Sequence, residues 1–123
     1  VTPISATRKA LYPANWDQIS RHVRAEALWR CEECEVADRE VGYRWPDTGG
    51  EFRAVDAKHS VAVFQCLKDL RGPNATFTRI VLTVHHIDGD PTNNERNNLV
   101  ALCQRCHLQA DARLRKQRKE AKR

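Results

Sequence analysis

The sequence predicts a small zinc-stabilised α+β domain with an N-terminal helix, an inserted hairpin-and-helix segment and a basic C-terminal helix. Three observations carry this expectation. Four of the five cysteines fall in two Cys-x-x-Cys pairs, Cys31/Cys34 and Cys103/Cys106. Residues 80–85 alternate as a strand does, then give way to a loop rich in Asp, Gly, Pro and Asn and a second apolar run. From Cys103 onward the chain lacks Gly and Pro and is rich in Gln, Arg, Leu and Ala, which favours helix. At 123 residues the chain is expected to be one domain, with 1–13 as an arm, 38–79 as an insertion and 113–123 as a basic tail.

The arm carries Thr7, Arg8, Lys9 and Tyr12, residues that suit a phosphate backbone as well as a frayed terminus. Asn15-x-x-Gln18 is a capping-box pattern. Trp16, Ile19, Val23 and Ala27 then share one helical face. The helix is expected to reach about Trp29 and deliver Cys31 and Cys34, with His22 on its solvated side. In the insertion, Val41, Tyr43 and Trp45 alternate, Asp47-Thr48-Gly49-Gly50 reads as a turn, and Glu51 to Val55 return. Asp56 to Leu70 reads as a short helix through Val61, Phe64 and Leu67, ended by Arg71-Gly72-Pro73-Asn74. Cys66 is expected to be a small buried residue and His59 a helix-surface one. Arg44, Arg53 and Lys58 are weighed as groove contacts against an insertion that merely packs.

Ile80, Leu82 and Val84 mark the next strand, Ile87 to Asn97 the loop, and Leu99 to Leu102 the returning strand. The order strand, loop, strand, helix is expected to bring His85, His86 and His107 to one end of a hairpin packed on a helix. Adjacent strand residues face opposite ways. The strand is expected to end just after the two histidines, at Ile87-Asp88-Gly89, which makes a split of roles natural.

The net charge is +5, but its location matters more. Residues 113–123 hold seven Lys or Arg and one Glu, so the tail contributes +6 and the rest of the chain −1. A basic arm suits a polyanion such as nucleic acid. No apolar run of about 18 residues is present, so no membrane span is expected, and the first fourteen residues lack the apolar stretch of a secretory leader. Five cysteines is an odd number, which fits a disulfide framework poorly. Two-residue spacing suits zinc, whose thiolate ligands converge from a tight turn, with disulfides or free thiols as the alternative. Zinc thiolates imply a reducing cytosol. Sixty-eight residues separate Cys34 from Cys103. Closing that loop costs only about 4 kcal/mol plus a constant, against roughly 10–16 kcal/mol from structural zinc.

The run Val84-His85-His86-Ile87-Asp88-Gly89-Asp90, followed by Asn98 and by Cys103-Gln104-Arg105-Cys106-His107, resembles the motif of the HNH endonucleases, whose fold is the ββα-metal domain. The first Cys-x-x-Cys and its lead-in from Asn15 are similar to the zinc-containing branch of that family. The resemblance spans residues 14–37 and 80–112 and leaves the middle unexplained. It implies His86 as general base, His85 and His107 as ligands of a catalytic divalent ion, Asn98 as the residue fixing the loop that aims the base, and Cys31, Cys34, Cys103 and Cys106 as ligands of a structural zinc. His85 stands where relatives often carry Asp. A neutral ligand there favours Zn²⁺, Ni²⁺, Co²⁺ or Mn²⁺ over Mg²⁺ alone.

Phosphodiester hydrolysis needs an activated water, which a neutral imidazole supplies, and charge neutralisation on the leaving oxygen, which a divalent metal supplies. Arg96 and Arg105, with Arg113, Arg115, Lys116, Arg118 and Lys119 of the tail, are the candidate phosphate contacts. Asp88 and Asp90 read as turn formers beside Gly89. The expected function is a metal-dependent DNA endonuclease or nicking enzyme, a cytoplasmic protein of bacterial or phage type, acting as monomer or homodimer. The competing readings are a noncatalytic zinc module that binds nucleic acid and a zinc-stabilised protein-interaction domain. A steep salt dependence separates the first of these from the second.

Overall fold

In the computed structural model, residues 9–45, 49–55, 65–66, 69, 72 and 74–122 are described. They divide into two compact units: residues 1–38 with 81–123, and residues 39–80. Both sheets are antiparallel. No helix among the described residues is long and apolar enough to cross a membrane.

In the first unit, helix α1 spans Trp16–Glu26 and buries Val23. It is three residues shorter than expected, because Leu28 and Trp29 both turn to a left-handed φ of 58°. The expected capping box does not form either. Asn15 makes no side-chain cap bond, and the amides of Gln18 and Ile19 bond to its carbonyl instead. His22 is exposed and pairs with Glu26 one turn on.

The chain then turns sharply. The amide of Cys31 donates to Val36 O at 2.9 Å, that of Glu35 (φ 70°) to Cys31 O at 2.9 Å, and Arg30 bridges to Ala37. Glu32 ties this knuckle to the hairpin. Its amide donates to Ala101 O at 2.9 Å, and its carboxylate accepts from the Ala101 amide at 2.6 Å.

The hairpin pairs a strand Leu82–His86 with a strand Leu99–Cys103, in the register Leu82 opposite Cys103 through His86 opposite Leu99. A 3₁₀ turn, Arg96–Asn98, leads into the second strand. The last helix, α2, spans Gln104–Ala121 and so takes in most of the basic tail. Leu82, Val84, Leu99 and Ala101 share one buried face of the pleat, and His85 and Leu102 on the other face are buried as well. The first strand begins at Leu82 rather than Ile80 and still includes both histidines.

The second unit is a three-stranded sheet in which Val41–Trp45 lies between Glu51–Ala54 and Thr76–Arg79. The expected hairpin is present. The third strand, Thr76–Arg79, is an addition to the expected elements, because four residues before the stronger apolar run at 80–84 give little signal. Trp45 is fully buried and its indole N–H donates to Gly72 O at 2.8 Å. Arg44 donates to Gly50 O at 2.7 Å, and Arg53 lies 3.0 Å from Glu51, so both have local partners. Cys66 is exposed rather than buried. Thr7, Arg8, Asp47, Thr48, Lys58, His59 and most of the expected helix over 56–70, including Val61, Phe64 and Leu67, lie outside the described residues.

Candidate metal centres and the histidine pair

Cys31, Cys34, Cys103 and Cys106 converge, with all four sulfurs within 4.8 Å of one another. Such a group could hold zinc. Cys34 Sγ and Cys103 Sγ are 3.6 Å apart. A disulfide would require about 2.05 Å, whereas Zn–S bonds of about 2.3 Å in a tetrahedron give an edge of about 3.8 Å. The amide of Cys34 points at Cys31 Sγ, 3.5 Å away. Burial opposes the Cys31 thiolate, yet backbone N–H groups of Cys34, Cys103 and Glu33 bring its pKa down to about 7. Burial pushes the Cys34 and Cys106 thiols up, and for Cys106 the neighbouring cysteines push the same way. Four sulfurs crowded together without a cation resist sharing negative charge, and a bound divalent ion reverses that resistance.

The strand ends at His86, as expected, yet the two histidines do not share a face. Both are ladder residues, so the pleat sends them apart. His85 turns towards α2, its ring centroid 5.0 Å from that of His107. His86 turns towards α1, stacked on Trp16 at 5.0 Å and 22°.

On the α2 side, His85 Nδ1 lies 3.2 Å from Asp111 Oδ1, and His107 Nε2 lies 3.6 Å from Asp111 Oδ2. The three side chains offer ligand atoms within 4.8 Å of one another, so they too could hold an ion. Asp111 is absent from the sequence-based site. Its signal is the spacing His107-x-x-x-Asp111, which puts two donors on one helical face. Burial lowers the pKa of both His85 and His107 below the ordinary 6.5. Both rings are therefore neutral at pH 7, the state a metal ligand needs.

On the opposite face His86 is 6% exposed. Trp16 covers one face of the ring and Tyr12 meets it edge-on at 5.6 Å. His86 Nε2 lies 3.0 Å from Asn94 Oδ1, and Asn94 Nδ2 donates to Pro91 O at 3.2 Å. That second bond fixes which end of the amide faces the ring. Nε2 must then carry the hydrogen, which leaves the lone pair on Nδ1. Neither Asn94 nor Trp16 stands out in the sequence as a site residue. A polar loop residue and a helix-face aromatic look alike in any small domain.

Asn98 is 8% exposed and works on the loop. Its Oδ1 accepts from the Asp88 amide at 3.1 Å, while Nδ2 donates to Asp88 Oδ1 at 2.9 Å and to Asn93 O at 2.8 Å. Hydrogen bonds from Asn93, the Asp90 amide and Asn98 hold the Asp88 carboxyl down at about 2. Gly89 takes a φ of 76°, and a methyl group there would approach Arg118 Nη2 to 2.5 Å. Arg118 therefore lies against this loop.

The other basic candidates differ in availability. Arg96 donates to Leu99 O at 2.8 Å and leans towards Glu26, so it braces the hairpin. Arg105 is half-buried at the start of α2. Arg113 lies 3.6 Å from Glu33. Arg115, Lys116, Arg118 and Lys119 are exposed along α2. A cleft of about 480 Å³ adjoins His85, with Ile87, Val100, Leu102, Leu114 and Arg113 among its walls. No family model, curated protein or solved structure matches the chain.

Proposed function

We propose that the protein is a metal-dependent phosphodiesterase acting on DNA, an endonuclease or nicking enzyme of HNH type. What carries this reading is closeness: the donor group and His86 leave the strand on opposite faces, yet from its last two residues, near enough for the charge of His86 to be felt at both His85 and His107. His85 joins His107 and Asp111 in a group of two neutral imidazoles and a carboxylate, while the next residue, His86, is held rigidly with Nδ1 as its basic nitrogen. That donor set suits a borderline divalent ion such as Zn²⁺, Ni²⁺, Co²⁺ or Mn²⁺.

When bound, the ion supplies charge neutralisation at the phosphate and the leaving oxygen. His86 Nδ1 takes the proton of the attacking water, and water oxygen joins phosphorus as the bond to the 3′-oxygen breaks. The leaving 3′-oxygen takes a proton from solvent, so the ends left are a 5′-phosphate and a 3′-hydroxyl. Asn94 keeps Nε2 protonated, and Trp16 keeps the ring from turning. Asn98 holds the loop that follows. Arg118, against Gly89, and the exposed cations of α2 bring positive charge to a polyanion. The four cysteines hold a structural zinc that joins the first knuckle to the start of α2.

Cleavage of supercoiled plasmid across a panel of divalent metals tests this, with His86→Ala beside the unaltered protein and zinc content and fold checked in both. Metal-dependent cutting by the unaltered protein and none by His86→Ala is the expected result. Equal cutting by both would sink the assignment of the base.

One observation favours a second reading, a noncatalytic zinc module that binds nucleic acid. His86 is only 6% exposed, which leaves little room for water and phosphate to reach its ring. Salt-sensitive DNA binding with no cutting in any metal would select that reading.

A further inference from the structure

Thr83 lies two residues before His85, so it faces α2 as His85 does. Its Oγ1 is 2.7 Å from Leu102 O and 2.7 Å from His107 Nδ1. A carbonyl oxygen only accepts, so the one hydroxyl hydrogen is committed to Leu102. Oγ1 then has only lone pairs to offer His107, and Nδ1 must be the nitrogen that carries hydrogen. A neutral imidazole carries one such hydrogen. Nε2 is therefore the lone-pair nitrogen, and it is the one on the side of Asp111.

We propose that Thr83 is a positioning residue for the second metal site, locking His107 into the Nδ1–H tautomer so that Nε2 is presented to the ion alongside His85 and Asp111. This rests on the reading of that group as a metal site. The chain runs from a backbone carbonyl through a hydroxyl to an imidazole, so the β-hairpin itself orients a ligand carried by the helix. Val has the same shape and strand preference, so Thr83→Val takes away the hydroxyl and its two bonds with little change in packing. Partners of this kind are worth roughly 10–100-fold in metal affinity.

The test uses the full chain with zinc in its cysteine site and Ni²⁺ as the probe. Calorimetric titration compares the unaltered protein with Thr83→Val and Thr83→Ser. Thr83→Val should weaken Ni²⁺ binding by roughly 10–100-fold, and Thr83→Ser should restore most of it. Long-range ¹H–¹⁵N NMR of the nickel-free protein at pH 8 should show His107 as the Nδ1–H tautomer, a bias that disappears in Thr83→Val. Unchanged affinity in Thr83→Val, equal losses in Val and Ser, or an Nε2–H tautomer in the unaltered protein would each overturn the proposal while leaving the metal site standing. Absence of Ni²⁺ binding by the unaltered protein would instead overturn the metal reading, and this proposal with it. The tautomer measurement needs no variant, so it decides even where Thr83→Val does not fold.

Discussion

Asn98 and Asp88 clasp each other through two hydrogen bonds, backbone amide to side-chain oxygen at 3.1 Å and side-chain amide to carboxylate at 2.9 Å. A third bond from Asn98 to Asn93 O closes the loop over the clasp. The loop that follows His86 is thereby pinned at its start and its middle by a residue sitting twelve positions after that histidine. Asn98→Ala removes three bonds and strands a part-buried amide and a carbonyl. The expected loss is about 1–3 kcal/mol, read as a lower denaturant midpoint with an unchanged slope. Cutting should fall as well, since Asn94 hangs from the same loop. A midpoint equal to that of the unaltered protein would show that the loop holds itself without Asn98.

The cysteine group makes a different demand. Cys103 is buried at the end of the hairpin, 3.6 Å from Cys34. If the group holds zinc, Cys103→Ser should cost the ion and much of the fold, because structural zinc contributes folding free energy directly. Cys66→Ser, at an exposed position, should leave both intact. Zinc content by atomic absorption, alongside far-UV circular dichroism, separates the two. Retention of full zinc and helix content in Cys103→Ser would contradict a four-thiolate site.

Some of this is legible in the sequence and some is not. The hairpin and α2 are, because the alternation at 80–85, the short apolar run at 99–102 and the helix-favouring run after Cys103 are strong local signals. The meeting of the two Cys-x-x-Cys pairs is legible because two-residue spacing has few uses. The end of α1 is not. Leu28 and Trp29 adopt left-handed backbone that neither residue type advertises, and tertiary context imposes it. The short strand Thr76–Arg79 is hidden beside a more apolar neighbour. His85 and His86 face opposite ways for a plain reason. The pleat continues through both residues, so the strand must place them on opposite faces. Asp111 is legible in principle, from its spacing to His107.

The cations of α2 carry a prediction about DNA. Arg115, Lys116 and Lys119 are exposed on a helix that runs on to Ala121. If they lie along phosphates, replacing all three with Ala should weaken binding to every sequence alike. The slope of log affinity against log salt should fall by about 0.9 for each phosphate no longer neutralised. Fluorescence anisotropy at several salt concentrations gives the slope. A triple variant with the parent slope would move the DNA-binding surface elsewhere on the protein. Thermal stability should barely change, since exposed charges contribute little to it.

The group of His85, His107 and Asp111 carries a prediction about protons. Burial holds His85 and His107 below the ordinary 6.5, so at pH 7.5 neither ring has a proton for an ion to displace. Ni²⁺ binding at that pH should release well under one proton, measured by calorimetry in buffers of different ionisation enthalpy. As the pH falls below 6.5 the unfolded chain takes up protons that the buried rings refuse. The protein without a second ion then loses stability in that window and regains it as the pH rises. Binding weakens over the same range, once protons compete for the ligand nitrogens. Asp111→Asn removes the only carboxylate of the group and should weaken Ni²⁺ binding at pH 7.5 while leaving the cysteine site and the fold unchanged. Release of two protons at pH 7.5 would mean that both rings are charged there. An Asp111→Asn variant with parent affinity would remove Asp111 from the ligand set.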